Sequence, residues 1–257
     1  MRNVFRNELY KLFRTKKLYL FSAIMVAVLL LNLHSYEPGS PMTVWTFRYG
    51  QSVPLASIDI LSQFMVIFIP IYLADSVTHE EKTGTLKLSL LRPIRRNELL
   101  QAKLASLLVF IAVMVAFYAA AAYAIGAYYL GWGDGTEYAG QQYSPAEGIG
   151  LTLAAYALLI LPFMTYGLFV TAVALLSSHV SIAIISALVI MTIGLNLNGW
   201  EAIAPYSLAY QIVYYHEAFI GPFDGSLALQ RTGILALYAA LFSFFSFHIF
   251  NRKAILR

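Results

Sequence analysis

The chain has 257 residues, of which 60% are hydrophobic and 12% charged, with a mean hydropathy of +0.69. An ordinary soluble domain is about 45–50% apolar, and 17 basic and 13 acidic residues cannot cover so much apolar surface, so a water-soluble globule is excluded and membrane integration follows. The absence of cysteine excludes a disulfide framework and thiolate chemistry.

In chain order, Val4, Phe5, Leu9, Leu12 and Phe13 recur at helical spacing, with Arg2, Arg6, Lys11 and Arg14 elsewhere around the wheel. Residues 1–16 therefore predict an amphipathic helix lying in a membrane interface. Six apolar runs follow, each near the roughly 20 residues that cross a bilayer core. They are Leu18 to Leu33, Leu55 to Ala74, Leu104 to Leu130, Ile149 to Leu176, Val180 to Leu197 and Thr232 to Phe250. No small-residue cleavage pattern follows Leu33, so the first run is expected to be a retained span. The whole chain is read as one transmembrane domain.

The second run carries Asp59 and Gln63 one turn apart, and such polar residues face a bundle interior, water or the interface. Residues 75–103 then form the one sizeable loop on their side. There Thr78 and Glu81 have capping-box spacing, Gly84 bends the path, and Leu86, Leu88, Leu90 and Leu91 supply apolar anchors. Pro93 biases Arg92 away from helix, and Asn97 is placed to cap the next helix. The plainer reading of this loop is an interfacial helix whose Lys87, Arg92, Arg95 and Arg96 sit among anionic headgroups.

In the third run Ala112, Ala116, Ala120 and Ala124 form a small-residue ridge suited to close helix packing. Gly131, Gly133 and Gly135 predict a flexible turn with no strand before it. Pro162 and Gly167 mark a kink site in the fourth run, and Ser177 to His179 is too short a connection to fold. Residues 198–231 are rich in aromatic side chains, among them Trp200, Tyr206, Tyr210, Tyr214, Tyr215, Phe219 and Phe223, which favour the headgroup level. Pro205 and the pair Gly221 and Pro222 divide this segment into at least two helical pieces.

Placing the N-terminus inside puts fifteen of the seventeen Lys and Arg residues in the cytoplasm, leaving Arg48 and Arg231 outside. This asymmetry predicts a multi-pass protein of the cell membrane with both termini cytoplasmic. The basic balance is assigned to topology and anionic lipid contact, and no nucleic-acid partner is expected.

The loop pattern Glu80-x-x-x-Gly84-Thr85-Leu86, then Arg92-Pro93-Ile94-Arg95-Arg96, then Leu99-Leu100 and Lys103 resembles that of the type-2 ABC export permeases. The resemblance extends to the six-span order, the basic N-terminal segment and the long outer loop before the last span. It implies an all-α membrane protein with an elbow helix before span one and a coupling helix between spans two and three. It also implies re-entrant or interfacial outer helices between spans five and six. Glu80, Gly84, Thr85, Pro93 and Lys103 match the family pattern, with Arg95 or Arg96 in the basic slot. Glu81, Leu86 and Leu90 complete the surface expected to seat in a cytosolic ATPase subunit. Asp59, Gln63, Tyr210, Tyr214, His216 and Glu217 are the candidates for the pathway or its outer gate, with a solvated face as the plainer role for His216 and Glu217. The implied partners are that ATPase, a second copy or a homologous permease, and membrane lipids.

No G-x-x-x-x-G-K-[ST] loop is present, so ATP and Mg are expected on the partner subunit and no cofactor on this chain. The five histidines are scattered without metal-ligand spacing, and no G-x-S-x-G elbow occurs, so neither a metal site nor enzymatic activity is expected. The alternatives are a polytopic membrane enzyme or sensor using its intramembrane acids, and an immunity component without transport. An amphipathic peptide, antibiotic or lipid-like molecule suits walls rich in Tyr and Phe.

Overall fold

The computed structural model describes residues 2–35, 49–83, 95–138, 140–200, 202–220 and 224–252. Helix α1 (Arg2–Arg14) is separated from α2 (Lys16–His34) by Thr15, whose backbone is extended and whose hydroxyl donates to the Lys11 carbonyl at 2.6 Å. Short α3 (Val53–Ala56) leads into α4 (Ile58–Leu73), a π-helical turn (Ala74–His79) and α5 (Glu80–Lys82). After α6 (Arg96–Leu130) comes an antiparallel hairpin of β1 (Thr136–Tyr138) and β2 (Gln141–Tyr143). The described chain closes with α7 (Pro145–Leu176), α8 (Val180–Asn196), α9 (Leu208–Tyr214) and α10 (Gly225–Arg252).

Among the described residues, five segments are long and apolar enough to cross a membrane: α2, α4 with its π turn, α6, α7 and α10. Helix α8 is apolar but has 17 residues, a rise of about 25 Å, so the six spans expected from sequence become five full-length helices and one shorter one. The run stops where Leu197–Gly199 tightens into a 3₁₀ turn. Helix α6 begins at Arg96, ahead of the apolar run from Leu104, and Leu99, Leu100 and Ala102 already bury their side chains. Its N-cap position is Arg95, two residues before the Asn97 expected there.

The two ends of the bundle differ. One carries α1, where Arg96 Nη1 donates to the Asn251 carbonyl at 3.1 Å and Lys82 Nζ meets His179 Nδ1 at 3.0 Å. We call it the basic end. At the other, the hairpin end, Gly50 N donates to the Gly131 carbonyl at 2.9 Å and Glu137 N to Ser52 Oγ at 2.7 Å. The glycine-rich stretch expected to be a flexible turn is thus tied down and continues into a hairpin. Gly131 and Gly133 adopt φ of 74° and 79°, which side-chain-bearing residues rarely do.

Between the ends, α2, α4, α6 and α7 bury Met25, Leu29, Leu61, Met65, Ile111, Met114, Leu159 and Phe163. Pro70 lies inside α4 and has no N–H for the carbonyl four residues earlier. That carbonyl, on Val66, accepts the Tyr166 hydroxyl of α7 at 3.0 Å instead. Helix α7 runs unbroken through Pro162 and Gly167. A Cβ on Gly167 would collide with Leu107, so this glycine permits close approach of α6. Most of the alanine ridge of α6 faces outward: Ala116, Ala120 and Ala124 are exposed and Ala112 is half-buried, whereas Ala119, Ala122 and Gly126 are buried.

Candidate functional site

The basic end holds four charged side chains in mutual contact. Lys103, 2% exposed at the start of α6, donates from Nζ to Glu80 Oε2 at 2.7 Å and to Glu8 Oε2 at 3.2 Å. Lys11 donates to the other oxygen of each carboxylate, Glu8 Oε1 and Glu80 Oε1, both at 2.8 Å. Two carboxylates and two ammoniums thus form a closed ring across α1, α5 and α6. Lys103 also donates to the Ser76 carbonyl at 2.7 Å and approaches Ser76 Oγ at 3.2 Å, so its three donors are fully engaged.

Local folding explains the convergence. The π turn contains an extra residue relative to an α turn, which re-aims the side chains that follow and presents the Ser76 carbonyl sideways. The capping box expected at Thr78 and Glu81 does not form, because the helical path continues through Thr78 and leaves no helix start to cap. Thr78 is instead buried, with Oγ1 donating to the Ala174 carbonyl of α7 at 3.1 Å. Burial alone would raise the Glu80 carboxyl, but the ammoniums of Lys103 and Lys11 outweigh it and hold it below the ordinary value of 4.5. Burial would lower Lys11, and its bonds to Glu8 and Glu80 reverse that and keep it above 10.5.

Of the residues expected to form a coupling surface, Glu80 and Lys103 come together here. Arg96 reaches the end of α10, while Arg95 is exposed at the N-terminus of α6. Glu81 lies in the short helix α5. Gly84, Thr85, Leu86, Leu90 and Pro93 fall outside the described residues. Glu8 and Lys11 are the members that sequence reasoning missed, Lys11 being read only as part of the basic face of the first helix; Glu8 gave the clearer hint. Its signal was the lone acid of α1, set on the same helical stripe as Val4 and Leu12.

The candidates for a pathway or outer gate separate into two groups. Asp59 and Gln63 share the exposed side of α4, opposite buried Ile58, Leu61, Ser62 and Met65, so they do not face this chain's interior. Tyr210 and Tyr214 are half-buried on α9 with ring centroids 4.6 Å apart. Glu217 is exposed, but His216, expected on a solvated face, is 4% exposed, because the 3₁₀ turn Tyr215–Ala218 rotates it inward. Burial, with Arg231 nearby, pushes its imidazole down to about 4. Arg231 was counted only as an outer charge. It is 7% exposed, donates to the Tyr214 carbonyl and lies over the Tyr210 ring at 5.4 Å.

Among the described residues no group of three His, Asp or Glu side chains is arranged to hold a metal ion. A family model described as a protein of unknown function (DUF2705) matches residues 20–256. The chain belongs to that family. No curated protein matches it. Within the DUF2705 match lie Glu80 and Lys103, whereas Glu8 and Lys11 precede it.

Proposed function

We propose that this protein is the membrane permease subunit of an ATP-binding cassette exporter. The basic end faces the cytoplasm, α8 completes six crossings, α1 is the elbow helix, and the loop of residues 75–103 seats in a separate cytosolic ATPase. Two such permease subunits, identical or homologous, enclose the pathway. Its cargo is amphipathic: a peptide, an antibiotic or a lipid-like molecule.

The observation that carries this reading is the bond between the two roots of the loop, Glu80 Oε2 to Lys103 Nζ at 2.7 Å, closed by Glu8 and Lys11 of α1. A push on the loop is delivered at these roots. Because Lys103 and Glu8 are buried and every pair in the ring is charge-assisted, α1, the end of α4 and the start of α6 move as one body. The exposed Asp59 and Gln63 then border a space between subunits. The enzyme or sensor alternative needs acids gathered inside the bundle, and the outward direction of Asp59 does not favour it.

The test is to tag the permease in its native host, capture any ATPase subunit that co-purifies and measure ATP hydrolysis of the complex in proteoliposomes. Stable co-purification and hydrolysis altered by Glu80→Arg are expected, since the substitution sets a third cation against Lys11 and Lys103. Co-purification with unchanged hydrolysis and ATP-driven transport in Glu80→Arg removes the role assigned to Glu80. Failure to capture any ATPase removes the permease reading.

A further inference from the structure

Beside the ion ring, between α1, α2 and the π turn, lies a cavity of about 220 Å³. Its wall has two tiers. Toward the water side stand Lys11, Lys17, Asp75, His79 and Glu80; deeper are Leu18, Phe21, Tyr72 and Phe110. Phe21 is one turn along α2 from Lys17, a step of about 6 Å into the membrane. The floor is closed by rings: Tyr72 stacks on Phe110 at 4.6 Å, and Phe110 meets Phe21 edge-on at 6.3 Å. At the rim, Lys17 Nζ pairs with Asp75 Oδ1 at 2.9 Å, and both side chains are more than 40% exposed.

We infer that this cavity binds the phosphoethanolamine headgroup of a membrane lipid in the leaflet at the basic end. The level is that of headgroups, because Lys17 opens α2 and Asp75 lies in the last turns of the membrane-crossing segment ending at His79. The size suits a headgroup rather than a whole lipid, since pockets for drug-sized ligands begin near 300 Å³. Charge selects the class. Lys11 and Lys17 face the cavity with Glu8, Asp75 and Glu80, and Lys103 lies directly behind Glu8 and Glu80. The six charges cancel, so an anionic headgroup finds no net attraction, while a zwitterion finds both signs at the rim. Its phosphate takes the Lys17 ammonium and its own ammonium takes the Asp75 carboxylate, replacing one ion pair by two. A primary ammonium donates hydrogen bonds to that carboxylate, which a quaternary one cannot do.

This inference does not depend on the permease reading, and its test needs no ATPase. The full-length protein is equilibrated in nanodiscs containing equal phosphatidylethanolamine and phosphatidylglycerol, then stripped with detergent and weighed by native mass spectrometry. Wild type should retain phosphatidylethanolamine about tenfold over phosphatidylglycerol, the weight of one charge-assisted hydrogen bond. Asp75→Asn, which leaves the cavity with one net positive charge, should reverse that preference. Lys17→Gln should weaken retention of both lipids, and Lys16→Gln, on the exposed neighbour outside the cavity, should change nothing. Equal retention of the two lipids by wild type, or an unchanged ratio in Asp75→Asn, overturns the inference. Displacement by millimolar soluble phosphoethanolamine as readily as by lipid assigns the cavity to a water-soluble ligand and overturns the lipid source.

Discussion

The two ends of the bundle treat buried polarity in opposite ways. At the basic end Lys103 and Glu8 are almost fully buried, yet each is paired, and Ser76, Thr78 and Ser106 also find partners. Among the described residues, the buried polar side-chain atoms without a hydrogen-bond partner stand toward the hairpin end, among them Gln51 Oε1, Ser62 Oγ, Thr136 Oγ1, Gln211 Oε1, His216 Nδ1 and Arg231 Nε. A closed network resists rearrangement, because breaking any member strands the others in a low-dielectric setting. An incompletely paired one holds its conformation less tightly. The basic end is therefore held together more tightly than the hairpin end.

The largest test of this contrast is Lys103→Met. It removes the ammonium that Glu8 and Glu80 share and should cost about 3–5 kcal/mol, since both carboxylates then face Lys11 alone. The midpoint of thermal unfolding in detergent measures it. The double variant Lys103→Met with Glu8→Gln removes one charge of each sign and should recover a large part of the loss. A double variant no more stable than the single one would mean that the ring is not a coupled unit.

What the sequence disclosed about these two ends follows from the kind of force involved. The apolar runs are long-range averages, and they located the long apolar helices to within a few residues except at two starts, where α6 extends back to Arg96 and α10 to Gly225. The ring was half legible: Glu80 and Lys103 stood out because they flank the loop, but Glu8 belongs to it only through the tertiary packing of α1 on α6. The π turn carries no composition signal, and Thr78 and Glu81 present the spacing of a helix start instead. The inward rotation of His216 and the burial of Arg231 depend on a 3₁₀ turn four residues long, below the resolution of any periodicity. The hairpin was hidden because its strands have three residues each.

Arg231→Met examines the other end. The guanidinium gives the Tyr214 carbonyl one hydrogen bond and the Tyr210 ring one cation–π contact, while its Nε has no partner. Losing the hydrogen bond and the ring contact is offset by no longer burying a charge. A net loss of about 1–2 kcal/mol is expected, well under that of Lys103→Met, from the same thermal measurement. A loss equal to or larger than that of Lys103→Met would place the tighter network at the hairpin end.

Acid separates the two ends without any substitution. His216 is held near 4 by burial and by Arg231, against an ordinary value of 6.5. Its folded value is depressed, so the unfolded chain binds the extra proton first; the neutral imidazole contributes fully above pH 6.5, and that contribution fades as pH falls toward 4. Glu80 is also depressed, from 4.5, so its contribution persists down to about pH 4.5 and is lost below that. Lys11 is raised above 10.5, so its share of the ring is lost only at strongly alkaline pH. Between pH 6.5 and 4.5 the hairpin end alone should weaken, by about 1 kcal/mol at pH 5.5. Hydrogen exchange followed through that interval should show faster opening of α9 and the Tyr215–Ala218 turn, with α1 and the π turn unchanged. His216→Gln should remove the weakening there and leave only the opposite, smaller dependence of Glu217, whose carboxyl burial raises above 4.5. Equal acceleration at both ends would mean that they do not titrate separately, and that the ion ring opens together with the contacts around His216.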